Sequence, residues 1–113
     1  MPSQDDVILW KAPQTGRDGA GEIAKGFDPQ LFPGNGPYFT TDDTLAVRYQ
    51  RHYLAGLQEF HMPRPVFEDL LGRGVIVEDP MYAAGISYHV PPSGLPEFNL
   101  AIQQGNPNVF HPQ

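Results

Sequence analysis

Glu59 and His61 stand two residues apart in Leu57-Gln58-Glu59-Phe60-His61-Met62, and Ser87 and His89 repeat that spacing in Gly85-Ile86-Ser87-Tyr88-His89-Val90. Residues two apart on a strand share a face. A carboxylate beside an imidazole can take, give or orient a proton. If the two strands are neighbours, Glu59, His61, Ser87 and His89 converge on one cleft; otherwise each pair decorates a solvated face. Tyr38 is either a stacking platform for a flat ring or a half-buried strand aromatic. Lys11 and Arg48 are either anchors for a phosphate or ordinary surface charges. The histidines His52, His61, His89 and His111 show no metal-ligand spacing, so no metal is expected.

The elements that must position these groups follow from periodicity and punctuation. Residues 7–11 form a short apolar strand ended by Ala12-Pro13. Residues 14–32 read as a long glycine-rich loop with one weak helical turn near 22–25, and loops of that length in compact domains often carry function. Residues 33–43 turn sharply through Pro33-Gly34-Asn35-Gly36-Pro37, deliver Tyr38-Phe39-Thr40-Thr41 as a strand, and cap a helix with Thr or Asp. That helix runs over 43–53, with Leu45, Tyr49 and Tyr53 as its apolar stripe. Strand 57–62 turns Gln58, Phe60 and Met62 one way and Leu57, Glu59 and His61 the other. A short helix over 66–71 points Val66, Leu70 and Leu71 inward, and a brief strand covers 75–77. Strand 85–90 sets Ile86, Tyr88 and Val90 opposite Ser87 and His89. Helix 95–104 buries Leu95, Phe98 and Ile102, and the tail 106–111 packs back as an irregular or short β piece. The order of short strands and small helices predicts an α+β fold in one domain over residues 1–113.

Composition narrows the function. The 113 residues carry a net charge of −6 and no run of basic residues. Nucleic-acid binding needs clustered Lys and Arg, so that class is disfavoured, as is an anionic membrane surface. The chain has no cysteine, hence no disulfide, thiolate metal site or cysteine nucleophile. No apolar stretch approaches a membrane span. Residues 1–6 are acidic and lack a signal-peptide pattern, which fits a cytoplasmic protein or one delivered into a target cell within a larger secreted chain. No phosphate-cradling Gly-x-x-x-x-Gly-Lys, His-Glu-x-x-His or Gly-x-Ser-x-Gly motif is present.

Leu9-Trp10-Lys11-Ala12-Pro13, followed by Gly36-Pro37-Tyr38-Phe39-Thr40-Thr41 and a helix with Ala46 and Tyr49, resembles the small bacterial ADP-ribosyltransferase-like toxin domains of polymorphic toxin systems. The resemblance implies a split sheet, NAD as substrate, and transfer of ADP-ribose to a protein acceptor or to water. It also implies a cognate immunity protein as partner. By position, Lys11 is the first-strand basic residue, where Arg or His is usual. Tyr38, Thr40 and Thr41 are the second-strand motif, and Arg48 joins Lys11 as a phosphate contact. His89-Val90-Pro91-Pro92 matches the family's last-strand ending, but Ser87 and His89 occupy the place of its glutamate. Glu59 is the strand carboxylate able to substitute, so the implied catalytic set is Glu59, Tyr38 and His89. A carboxylate there stabilises the oxocarbenium-like charge that develops as the nicotinamide–ribose bond breaks. Two other readings stand beside this one. They are an RNase using Glu59, His61 and His89, and a non-catalytic protein-binding module presenting aromatics and prolines.

Overall fold

The computed structural model describes residues 6–79, 86–103 and 108–112. Gly85, Gln104 and residues 106–107, assigned above to a strand, a helix end and the tail, lie outside them. The architecture is α+β, with four α-helices and a six-stranded sheet among the described residues.

Strand β1 (Asp6–Lys11) buries Val7, Leu9 and Lys11 and half-buries Ile8 and Trp10 on the other face. Helix α1 (Gly19–Lys25) and a 3-10 turn (Pro29–Leu31) interrupt the expected loop. Gly19 and Gly21 lower the local helix propensity, which hides α1 in the sequence. Its start is fixed by Asp18, whose side chain accepts from the Gly21 amide at 3.0 Å, with Ile23 packed on the core. Strand β2 (Tyr38–Thr40) leads into α2 (Asp43–Tyr53), whose first turn is capped by Asp42 accepting from Thr44 at 2.9 Å. Strand β3 (Leu57–Pro63) buries Gln58, Phe60 and Met62 completely. Helix α3 (Arg64–Gly72) buries Phe67 and Leu70 and leaves Val66 exposed, a correction to the expected face. Strand β4 is Val77–Glu78 rather than 75–77, because the Val75 and Ile76 amides both close the end of α3 by donating to the Leu70 carbonyl. Strand β5 (Ser87–His89), helix α4 (Leu95–Gln103) and strand β6 (Val109–His111) complete the fold.

The strand order is β4-β5-β2-β1-β3-β6, with every described pairing antiparallel. One face carries the main core. Phe27, just past α1, sits at its centre, with ring centroids 5.4 Å from Phe32, 5.4 Å from Phe39 and 5.5 Å from Phe60. Its backbone is held by Asn99 of α4: the Phe27 amide donates to Oδ1 and Nδ2 donates to the Phe27 carbonyl, both at 2.8 Å. The opposite face is covered in part by α2, through Ala46 and the half-buried Val47 and Tyr53.

The sheet is divided in its middle. β1 pairs with β3 at six positions but with β2 at only one, Trp10↔Thr40. The halves β4-β5-β2 and β1-β3-β6 are therefore joined at a single point. The Gly34–Gly36 turn sets β2 beside that join. A Cβ on Gly36, whose φ is +78°, would lie 1.8 Å from the Val90 carbonyl oxygen, whereas one on Gly34 meets nothing within 4 Å. Gly36→Ala is therefore expected to cost at least about 3 kcal/mol, or roughly 10 °C in melting temperature. Gly34→Ala should cost about 1 kcal/mol. Thermal melts showing equal losses for the two would refute this account of the turn.

Candidate functional site

Where β1 and β2 part, a cleft of about 460 Å³ opens. β1 and the residue after it contribute Trp10, Lys11 and Ala12; β2 contributes Tyr38, Phe39 and Thr40; β5 contributes Ser87. α2 adds Leu45, Ala46, Tyr49 and Tyr53, so the expected apolar stripe faces the cleft. Tyr49 and Tyr53 lie parallel, 6.3 Å apart with an 11° tilt. The segment 14–33 supplies the remaining wall through Gln14, Arg17, Leu31, Phe32 and Pro33.

Three of the five residues expected to contact NAD are gathered here. Lys11 is only 8% exposed, with Nζ 5.5 Å from the Phe32 ring centroid. Burial pulls its amine down from 10.5 to about 8, against the attraction of Glu22 and with the repulsion of Arg17. Tyr38 stands at the rim, 39% exposed, its hydroxyl accepting from Asn35 Nδ2 at 2.9 Å. Thr40 is buried and its Oγ1 accepts from the Asp42 amide at 3.0 Å. Thr41 does not line the cleft; its amide donates to the Ile86 carbonyl at 3.0 Å. Arg48 is elsewhere, in a shallow depression on α2 with Asp43, Thr44, Val47 and Arg51.

The expected catalytic groups are dispersed. His89 backs the rim, its ring 5.4 Å from that of Tyr38 and its Nδ1 donating to the Asn35 carbonyl at 2.8 Å. The register aligns Ser87, Thr40, Trp10, Glu59 and Val109 in one row across the same face. Glu59 is thus one strand from Trp10 but three from Ser87, a backbone separation of about 14 Å at ordinary strand spacing. The four side chains Glu59, His61, Ser87 and His89 do not converge, because β1 and β2 lie between β3 and β5.

Glu59 instead bridges two imidazoles. His61 Nε2 donates to one carboxylate oxygen at 2.5 Å and His111 Nε2 to the other at 2.9 Å. Burial pushes this carboxyl up, but the bonds from His111 and His61 outweigh it and leave it below its ordinary value. Glu59 is therefore ionised at neutral pH. The His111 ring stacks against Trp10 at 6.2 Å, so the Trp10 indole stands between the Glu59 cluster and the cleft.

Reading by residue type missed Arg17, Phe32, Trp10 and Glu22. Arg17 Cζ sits 4.5 Å from the Phe32 centroid, and Nη2 donates to the Leu31 carbonyl at 2.8 Å. Glu22, buried on α1 within electrostatic reach of Lys11, accepts from Gln58 Nε2 at 2.8 Å, and burial raises its carboxyl despite that bond. No periodicity marks Arg17 within Thr15-Gly16-Arg17-Asp18, and its placement depends on how the segment folds back. Trp10 was legible as the single tryptophan in the chain. Among the described residues, no group of three or more His, Asp or Glu is arranged to hold a metal ion, and no helix is long and apolar enough to cross a membrane.

No family model, curated protein or solved structure matches the chain.

The depressed lysine makes stability depend on pH in a definite direction. Below about pH 8 Lys11 is charged in both folded and unfolded states, and its burial cost is felt in full. Between about 8 and 10.5 the folded chain has shed the proton and the unfolded chain keeps it, so stability rises with pH, by roughly 3 kcal/mol for this group. Lys11→Met should remove that rise. Denaturant unfolding of both proteins at pH 7.5 and 10 measures it, and an identical pH response in the two would contradict the assignment.

Proposed function

We propose that this chain is an ADP-ribosyltransferase-like domain that binds NAD in the cleft between β1 and β2 and breaks its nicotinamide–ribose bond, passing ADP-ribose to a macromolecule or to water. The observation that carries the reading is the convergence of Lys11, Tyr38 and Thr40 on one aromatic-lined cavity at the division of the sheet. Those residues come from two strands 27 or more positions apart in sequence, and each stands where the family resemblance puts an NAD contact. A dinucleotide asks for flat apolar surface for its rings and cations for its diphosphate. Trp10, Tyr38, Tyr49 and Tyr53 supply the first, Lys11 and Arg17 the second.

Glu59 is the carboxylate for the reacting centre in this reading. It is ionised, on the same face as the cleft, and one strand from Trp10. Its role is electrostatic, opposing the positive charge on the ribose as the bond breaks.

One observation favours a second reading, in which the cleft binds without turnover: among the described residues lining it there is no carboxylate. The RNase reading draws less support, since Glu59 and His61 are not within reach of His89.

The deciding measurement is nicotinamide release from NAD by wild type, Glu59→Gln and Tyr38→Ala, with and without cell lysate as a source of acceptor. The enzyme reading expects release that falls at least about a hundredfold in Glu59→Gln, in a variant that is still folded at the assay temperature although its melting point drops with the weakened bonds to His61 and His111. A melting shift with NAD but no release in either condition would leave the binding reading. No release and no shift would discard both.

A further inference from the structure

Two like charges converge on the cleft in a protein whose net charge is −6. Lys11 Nζ and Arg17 Cζ lie 5.5 and 4.5 Å from the same Phe32 centroid, so they can be no farther apart than those two distances together. Among the described residues neither is in an ion pair; the pairs present are Glu59 with His61 and His111, and Arg73 with Asp69 and Glu97. Glu22 attracts Lys11 without an ion-pair contact, and Arg17 repels it. Arg17 offers five N–H donors. One is engaged by the Leu31 carbonyl, the side chain's single hydrogen bond among the described residues. A folded chain gains nothing from crowding two unpaired cations at a cavity wall unless an anion enters between them. The Phe32 ring, close to both cations, supplies negative π density that lessens the repulsion while the cavity is open.

We propose that Lys11 and Arg17 form a two-cation subsite for the diphosphate of a nucleotide, with Arg17 in the place that sequence reading gave to Arg48. The proposal rests on the nucleotide-cleft reading for its occupant but not on bond cleavage. The lining divides by chemistry: the two cations gather at Phe32, and Tyr38, Tyr49 and Tyr53 offer flat surface for the base. Binding draws a proton onto Lys11 when it is partly neutral, because the incoming anion favours the ammonium. The charged groups facing that amine are Glu22 of α1 and Arg17 of the preceding segment; Gln58, its partner in β3, is uncharged.

Trp10 is the only tryptophan and lines the cleft, so its emission reports occupancy. The full chain is titrated with ADP, AMP and adenosine at pH 7.5 and 9.5. Wild type should bind ADP more tightly than AMP or adenosine. Arg17→Gln retains a donor for the Leu31 carbonyl but removes the charge. It should lose at least about tenfold in ADP affinity while adenosine binding is unchanged, and Arg48→Gln should alter neither. Arg17→Lys should recover most of the ADP affinity. ADP binding should weaken from pH 7.5 to 9.5 in wild type and lose that dependence in Lys11→Met, a readout that a purely structural role would leave alone. ADP binding by Arg17→Gln equal to wild type, or equal losses for ADP and adenosine, overturns the subsite. Should both Arg17 variants unfold, wild type binding ADP no better than adenosine overturns it. Nicotinamide release by the same proteins, assayed separately with NAD, distinguishes the two readings. ADP binding that needs Arg17, without release, keeps the subsite and removes the cleavage; release that ignores Arg17 does the reverse.

Discussion

The seat of Phe27 holds the rest of this structure in place. Its ring fills the centre of the core against Phe32, Phe39, Phe60 and Phe98, and its amide and carbonyl are both satisfied by the one Asn99 side chain. A buried backbone pair left without partners costs about 1–3 kcal/mol per group, so Asn99 ties the end of α1 to α4 across 72 positions of sequence. The residue before it, Gly26, admits the Asn99 side chain because a Cβ there would lie 2.6 Å from its amide. With Phe27 seated, the polar segment before and after it has little freedom. Arg17, Leu31 and Phe32 are then brought to the cleft from a stretch that has no strand pairing of its own.

The divided sheet follows a similar economy. A single β1–β2 pairing forgoes ladder hydrogen bonds that a continuous sheet would make, and the unpaired edges become cavity wall. Burying Lys11 there is costly for a chain of this size. It is made tolerable by Glu22 and by the Phe32 ring, and the cost has a use if an anion repays it. Glu22 is in turn held by Gln58, which sits fully buried on β3 and also donates to the Gly19 carbonyl at 3.1 Å. A polar layer thus runs under the cleft from β3 through α1 to β1.

On the other face, Glu59 is shared between His61 and His111, which ties the last strand to β3 beside Trp10. The indole lines the cleft and stacks on His111. Any charge effect of Glu59 on a ligand acts past that ring. This makes Glu59 an electrostatic neighbour of the cleft rather than a part of its surface, and it sets the reach the proposed chemistry demands of it.

Elements with strong apolar periodicity are written in the order of residues alone. The alternations in β3 and β5 were legible down to which residues share a face, and the Leu95, Phe98 and Ile102 stripe of α4 down to its burial, because the period-two and helical patterns are written in side-chain type alone. Helix α1 was not legible beyond one turn, since its glycines weaken the local signal and its cap and tertiary packing supply the difference. Lys11, Tyr38 and Thr40 of the cleft lining are legible from their strands, whereas nothing in the sequence marks Arg17 as lining it or Arg48 as lying elsewhere. A cation in a polar loop and one on a helix look alike until the chain is closed. The strand order that parts Glu59 from His89, the division that opens the cleft, and the return of residues 14–33 to wall it emerge only when the chain closes. Each of those rests on contacts between residues distant in sequence, whose energies no local pattern encodes.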